Sequence, residues 1–216
     1  MPPRSEEELP LKRLLRVLLS LLVVPGCLHA QEAESTGRSP GRVDGFLELS
    51  ARLVRVEGET APLLGGALLV GLPRRWRAGG AAFVLAERVA QDAAPGALET
   101  ELRMGYGGAL LAWSSGPDGP APSARSAGLS PRWSLALLVG AGNAELRDIV
   151  SGVRLRSDNF FLLEPAVTVE LELLSRLSTG VLAGYRVPLG VEDLNGLQER
   201  DLGGWTMGVS ARLGPF

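Results

Sequence analysis

Strict alternation of apolar and polar side chains restricts residues 164–176, EPAVTVELELLSR, to an extended strand. Val167 and Val169 alternate with threonine and glutamate at a period of two residues. Successive strand side chains point to opposite faces, so the branched apolar residues share one face and the carboxylates of Glu170 and Glu172 share the other. An amphipathic helix would repeat its apolar residues every three or four positions. The segment therefore predicts a two-faced strand.

The same period recurs along most of the chain, separated by clusters of Gly, Pro, Asp and Asn that are typical of turns. Trp205, Met207, Val209 and Ala211 show it most openly. We predict an all-β fold of eight strands, at 44–56, 62–72, 80–90, 99–113, 131–144, 159–175, 179–189 and 203–213. The segment 114–130, rich in Gly, Pro, Ser and Ala, is predicted to be a loop.

The N-terminus has a different character. Basic residues precede the apolar run VLLSLLVV at 17–24, and small residues follow it up to Ala30. This pattern predicts a secretory signal peptide at 1–30, then a flexible lead-in at 31–43 and one folded domain at 44–216. A buried helix is the structural alternative for the run. The sequence VPGC ending at Cys27 also resembles a lipoprotein cleavage site, which leaves lipidation open.

Removal of residues 1–30 would limit the chemistry of the mature chain. Cys27, His29 and Lys12 are the only cysteine, histidine and lysine of the sequence. Without them the chain has no disulfide, no Cys or His metal site and no serine–histidine triad, so we predict no cofactor, no metal and no enzyme activity. The eighteen arginines and twenty-one acidic residues of 31–216 give no reason to expect a nucleic-acid partner.

The alternation fits two architectures. A soluble barrel or sandwich turns its apolar face inward, whereas a membrane barrel turns it toward lipid and encloses a polar lumen. The polar face combines small residues with charged ones, which suits a narrow closed lumen better than a solvated surface. Glu101 and Arg103 are assigned to this face as well. We predict a charge network in the lumen made of Glu48, Arg52, Glu170, Glu172, Arg186 and Arg212.

The tryptophans support the membrane alternative. Trp76, Trp113 and Trp133 fall at strand ends on one side of an up-and-down barrel, and Trp205 falls on the other. Membrane barrels place aromatic rings at both lipid interfaces. The arginines in PRRWRAGG, residues 73–80, surround one of these tryptophans and are compatible with a solvated turn or with contacts to anionic lipid headgroups.

The export signal, the alternation over 44–216 and the final strand GWTMGVSARLGPF together resemble the small eight-stranded outer-membrane barrels of the OmpA/OmpX class. The resemblance implies an antiparallel transmembrane barrel in the bacterial outer membrane. It also implies outer-membrane lipid and the barrel-assembly machinery as partners. Phe216 departs from the class because it shares the parity of Arg212, not that of the lipid-facing residues.

We therefore expect a non-enzymatic outer-membrane barrel with a structural or surface-interaction role and a lumen too full to be a wide pore. A soluble lipocalin-like binder of apolar ligands and an outer-membrane enzyme are the alternatives. Glutamate pairs such as Glu170 and Glu172 could perform acid–base chemistry, but ion pairing within the lumen is favoured. The surface partner is not identified by the sequence.

Overall fold

The computed structural model describes residues 44–56, 59–86, 89–91, 100–115, 131–174, 176–191 and 199–215. The predicted signal peptide and lead-in, with Cys27 and His29, lie outside these ranges, as do Phe216 and most of the predicted loop at 114–130. No helix in the described ranges is long and apolar enough to cross a membrane.

Strands make up nearly all of the described chain. Their bounds are β1 Gly45–Val56, β2 Glu59–Gly71, β3 Trp76–Leu85, β4 Val89–Gln91, β5 Thr100–Ser114, β6 Arg132–Asp148, β7 Arg154–Leu174, β8 Leu177–Leu189 and β9 Gly204–Leu213. A short 3-10 segment, Pro73–Arg75, joins β2 to β3, and a one-turn helix, α1 Glu199–Leu202, precedes β9.

The strands pair in an antiparallel ring. Their order is β3-β2-β1-β9-β8-β7-β6-β5, and β3 pairs with β5 to close it. β4 continues along β5 beyond the end of β3, so the two short strands form one side of the ring. The described residues thus form an eight-stranded up-and-down barrel, which confirms the predicted fold class.

The observed strands differ from the predicted ones mainly at β3 and at the β6–β7 hairpin. β3 begins at Trp76, four residues early, because Trp76 pairs directly with Trp113 of β5. β6 continues to Asp148 and β7 begins at Arg154, so both strands of this hairpin extend further than predicted. Its outward side chains are mostly polar, and the apolar alternation disappears there although strand pairing continues.

The outward face of the barrel is apolar. Every strand of the ring contributes large apolar side chains to it or small residues between them. The exposed large ones include Leu49, Leu68, Val70, Val84, Leu111, Leu135, Leu137, Val139, Phe161, Leu163, Val167, Val169, Val181 and Met207. A soluble barrel would bury these residues, so the orientation is that of a barrel surrounded by lipid.

The interior differs between the two ends of the barrel. We call the end where β1 begins and β9 ends the terminal rim, and the opposite end the distal rim. The distal half of the interior is mostly apolar apart from the buried Arg186, and α1 contributes Leu202 to it. Its buried residues include Val54, Val56, Leu63, Leu102, Leu146, Phe160, Leu162 and Leu202. The terminal half is lined largely by charged and hydroxyl side chains.

Two inward glycines lie under aromatic rings of the neighbouring strand. Gly65 pairs with Phe83, and a Cβ at Gly65 would lie 2.2 Å from the Phe83 ring. Gly142 pairs with Phe160, and a Cβ there would lie 2.4 Å from that ring. Both rings project into the lumen over a residue that has no side chain.

The β6–β7 hairpin ends in a turn organised by Asp148. The amides of Val150 and Ser151 donate to Asp148 Oδ1 at 2.8 and 2.7 Å. Hydrogen bonds from the Ser151 amide and its neighbours hold the pKa of this carboxyl below its ordinary value. The ionised carboxylate therefore stabilises the turn.

The β2–β3 turn has an unusual backbone. Arg74 and Arg75 have φ values of 60° and 68°, which lie in the left-handed region. Asn and Gly normally occupy these positions, because a Cβ at positive φ costs about 1 to 2 kcal/mol per residue. The turn lies at the terminal rim, immediately before Trp76.

The orientation of the wall predicts a position-dependent cost for arginine on β7. Val167 and Leu155 both lie on β7 and are about equally exposed, at 41% and 42%. Val167 lies in the apolar band, whereas Leu155 lies in the hairpin beyond it. Val167→Arg should cost about 2 to 4 kcal/mol in lipid, and Leu155→Arg should cost little.

Reversible guanidinium unfolding in phospholipid vesicles measures both values. Equal losses at the two positions would contradict the assignment of the apolar band.

Candidate functional site: the charged lumen

Arg212 links two carboxylates in the terminal half of the lumen. Its Nη2 lies 2.6 Å from Glu48 Oε2, and its Nη1 lies 2.6 Å from Glu170 Oε2. Glu48 pairs directly with Arg212 across β1 and β9. Gly180 of β8 lies opposite Glu170, and a Cβ at Gly180 would lie 2.8 Å from the Val169 carbonyl oxygen and 3.3 Å from Glu170 Cγ. We call this group the Arg212 cluster.

Two further side chains complete the Arg212 cluster. The Ser134 hydroxyl donates to Glu170 Oε1 at 2.7 Å, and Arg77 Nη2 lies 3.8 Å from the same oxygen. Arg77 also donates to the Ser114 hydroxyl. With two arginines and two glutamates, the cluster is balanced in charge, as buried ionised groups require.

A second group surrounds Glu164 near the middle of the lumen. Glu164 is 2% exposed and accepts from Arg52 through Oε1. The Tyr106 hydroxyl donates to its other oxygen at 2.7 Å, and Thr206 Oγ1 lies 3.4 Å from Oε1. We call this group the Glu164 cluster.

Stacked rings join the Glu164 cluster to the apolar half. The guanidinium carbon of Arg52 lies 4.0 Å from the centre of the Phe83 ring, and Phe83 lies 5.4 Å from Tyr106. On the other side of Tyr106, the guanidinium of Arg186 lies 5.9 Å from the ring centre. Two guanidinium groups thus flank a pair of aromatic rings within the lumen.

Arg186 lies apart from the carboxylates that were predicted as its partners. Glu170 faces Gly180, so Arg186 is six residues further along β8, about 20 Å away. It is 1% exposed, its Nη1 lies 4.0 Å from Met104 Sδ, and it also interacts with the side chains of Tyr106 and Glu164. The predicted pairing with Glu170 or Glu172 is wrong, because shared parity fixes the face of a residue but not its depth.

Glu172 lies at the terminal rim and not within the Arg212 cluster. It pairs with Arg132 Nη2 at 3.2 Å, and both side chains are partly exposed.

The predicted direction of Glu101 and Arg103 also requires correction. They lie on the outward face of β5, where Arg103 Nη2 is 2.8 Å from Glu101 Oε1. On this strand the inward parity belongs to Leu102, Met104 and Tyr106.

Three residues of the lumen were not predicted. Glu164 has the same parity as Glu170 on one strand, so the alternation contained the signal for it. Tyr106 lies within the Gly-rich GYGG segment and was obscured by it. Arg77 was grouped with the turn arginines, although it is the first inward residue of β3.

The four tryptophans lie on the outward face near the rims. Trp76 pairs with Trp113, and the Trp113 and Trp133 rings make an edge contact at 5.1 Å on the terminal side. Trp205 lies at the distal end of β9 and contacts Tyr185 edge-on at 5.2 Å. The rings on the two sides are separated by apolar strand residues, as at the two interfaces of a membrane.

Little free space remains inside the barrel. A cavity of about 30 Å³ is lined by Arg52, Glu164 and Arg212 among others. This volume suits one or two water molecules. The described residues contain no group of three His, Cys, Asp or Glu side chains placed to hold a metal ion. The charged side chains of the two clusters bind one another.

A closed antiparallel ring of eight strands, apolar outside and charged inside, is the fold of the small outer-membrane β-barrels. Among solved structures the chain is similar to Neisserial surface protein A, with a TM-score of 0.54 and 10% identity over 81% of this chain and 97% of that chain. This likeness confirms the predicted resemblance at the level of the fold.

Two further structures align with lower scores. The N-terminal barrel domain of Pseudomonas aeruginosa OprF has a TM-score of 0.46 and 12% identity, covering 80% of this chain and 99% of that chain. Ail of Yersinia pestis has a TM-score of 0.46 and 10% identity, covering 80% and 97%. No family model and no curated protein matches the sequence.

The Arg212 cluster predicts strong coupling between Arg212 and Glu170. Arg212→Met leaves two carboxylates without their main partner and should destabilise the barrel by about 3 to 5 kcal/mol. The double variant with Glu170→Gln should lose less than the sum of the single changes, because one of the stranded charges is removed.

A double-mutant cycle on unfolding in lipid vesicles measures the coupling. The control cycle combines Arg212→Met with Glu145→Gln. Because Glu145 lies outside the lumen on the distal hairpin, the two losses of unfolding free energy should add. Additivity for Arg212 with Glu170 would contradict the cluster.

Proposed function

We propose that the chain is a bacterial outer-membrane barrel whose closed lumen stabilises the protein and which has a structural or surface-interaction role. The observation that supports this most directly is the orientation of the wall. The outward face is apolar around the ring, and the charged side chains in the interior bind one another. In this proposal the apolar face contacts outer-membrane lipid, and the barrel-assembly machinery inserts the chain.

The soluble lipocalin-like alternative requires the reverse orientation. Such a binder holds its ligand in an apolar cavity and presents polar side chains to water. Here Leu68 and Phe161 are 69% and 71% exposed, whereas Arg52 and Glu164 are buried. The orientation therefore favours the membrane barrel.

A non-enzymatic role agrees with the state of the ionisable groups. Glu170 and Glu164 each accept bonds from an arginine and a hydroxyl, and both are enclosed. A general acid or base has to reach a substrate proton within hydrogen-bonding distance. These carboxylates are occupied by structural partners, which supports a stabilising role for them.

The membrane assignment predicts where the protein is found and how it behaves on a gel. After cell fractionation it should remain with the outer membrane until detergent is added. The detergent-extracted barrel should migrate differently before and after boiling, because the hydrogen-bonded ring stays closed in the unheated sample. Recovery in a detergent-free soluble fraction would contradict the proposal.

The closed lumen predicts that the barrel conducts poorly. In planar lipid bilayers the wild-type protein should show no stepwise conductance of the size of a diffusion pore, because the rings and guanidinium groups around Phe83 obstruct the lumen. The double variant Arg52→Ser/Phe83→Ser removes two of these groups and should increase ion conductance.

Leu155→Ser, on the outward face of the hairpin, is the matched control and should conduct as the wild type does. Large steps from the wild type, comparable with those of a general porin, would contradict a closed lumen.

A further inference from the structure

A small cavity lies between the two charged clusters of the lumen. Its volume is about 30 Å³, and β7 lines it with Glu164, Ala166 and Thr168, three successive residues of one face. Arg52 of the Glu164 cluster and Arg212 of the Arg212 cluster also line it. Both clusters can therefore contribute to a group bound in this cavity.

Arg52 brings a hydrogen-bond donor without an acceptor to the cavity. Its Nη1 donates to Glu164, but its Nε has no hydrogen-bond partner in the part of the chain that the structure describes. Arg52 is 7% exposed, so it is more than nine-tenths buried. A buried N–H without an acceptor destabilises a protein. The cavity beside Arg52 is a place where an acceptor can bind.

The charges around the cavity favour an anion as this acceptor. The two clusters and the neighbouring Arg186 together contain four arginines and three glutamates. These residues are Arg52, Arg77, Arg186, Arg212, Glu48, Glu164 and Glu170. One positive charge is therefore in excess among them, and buried charges require a partner.

The carboxylates that line the cavity are already neutralised. Glu164 is paired with Arg52, and Glu48 is paired with Arg212. Neither of them supplies the acceptor that Arg52 Nε lacks, since this nitrogen has no partner although Glu164 lies beside the same guanidinium.

The size and the lining of the cavity restrict the anion. A space that suits one or two water molecules admits a chloride ion, which is only slightly larger than water, but not a sulfate or a phosphate. Leu69, Phe83 and Leu110 line part of it, and Thr168 supplies a hydroxyl donor. A weakly hydrated monovalent ion fits these surroundings best.

We propose that this cavity is a binding site for one chloride ion, held by Arg52 Nε and the Thr168 hydroxyl. The ion neutralises the excess positive charge and supplies the acceptor that Arg52 lacks. The inference goes beyond the proposed function, because it concerns a ligand inside the lumen and applies to the barrel in detergent as well as in lipid.

The test compares urea unfolding of the mature protein in phosphatidylcholine vesicles in sodium chloride and in sodium gluconate of equal ionic strength. A ligand that binds only the folded barrel stabilises it more as its concentration increases. Chloride should therefore raise the urea midpoint with concentration, whereas gluconate, which is too large for the cavity, should not. Equal midpoints in the two salts would overturn the proposal.

Three variants separate the cavity from general salt effects. Ala136→Val fills the cavity without removing a charge and should abolish the difference between the two salts. Ala78→Val adds the same volume on the outward face of β3 and should keep the full difference. Arg52→Lys keeps the positive charge but removes the Nε donor, so it should reduce the difference. A full difference in Ala136→Val, or an equal loss in Ala78→Val, would overturn the site even if Arg52→Lys fails to fold.

Crystals of the wild type grown in sodium bromide locate the ion directly. An anomalous scattering peak from bromide should lie in the cavity beside Arg52 Nε. Density in the cavity that fits water alone, or bromide found only at the surface of the barrel, would overturn the proposal.

Discussion

Closure of the strand ring is the constraint on which the rest of the structure depends. The β3–β5 and β1–β9 pairings leave no free edge in the ring, so backbone groups are satisfied by neighbouring strands. Closure also separates the side chains strictly by parity, since each residue faces either the lumen or the surroundings. Because the apolar residues occupy the outward parity, the charged residues of the alternating strands have to lie inside a narrow space.

The charged side chains of the interior form two separate clusters. Arg212 joins Glu48 and Glu170 in the terminal half, while Arg52 and Tyr106 hold Glu164 in the middle. Apart from Arg186, aromatic rings and apolar side chains line most of the distal half, and inward glycines make room for Phe83 and Phe160. Breaking one ion pair in such an interior strands a charge, so each cluster stabilises the barrel as a unit.

The alternation of apolar and polar residues predicted the fold class, the strand number and the orientation of most strands. The alternation gave no correct prediction for segments that lack the contrast between an apolar outer face and a polar inner face. The β6–β7 hairpin continues past the apolar band, so Glu145 and Arg147 are outward and polar, and the extension was not predicted. On β5, a run of small residues gave no clear parity, and Glu101 was assigned to the wrong face.

The partners within the lumen depend on strand register, which the period does not contain. A shift of two residues preserves every face but changes every cross-strand neighbour. Arg186 illustrates this, since its inward direction was predicted while its position beside Met104 and Tyr106 was not. Glu164 was predictable from its parity, but its contact with Arg52 of β1 required knowledge of the closed ring.

Accessibility along β7 tests the account most directly. Single cysteines at positions 165 to 170, in a chain whose only other cysteine is Cys27 of the predicted signal peptide, can carry spin labels in lipid vesicles. Oxygen, which concentrates in the bilayer, should reach the odd positions, and neither oxygen nor a water-soluble nickel complex should reach the even positions readily. A reversed alternation, or uniform access of the nickel complex to the odd positions, would contradict a lipid-facing apolar wall around a closed charged lumen.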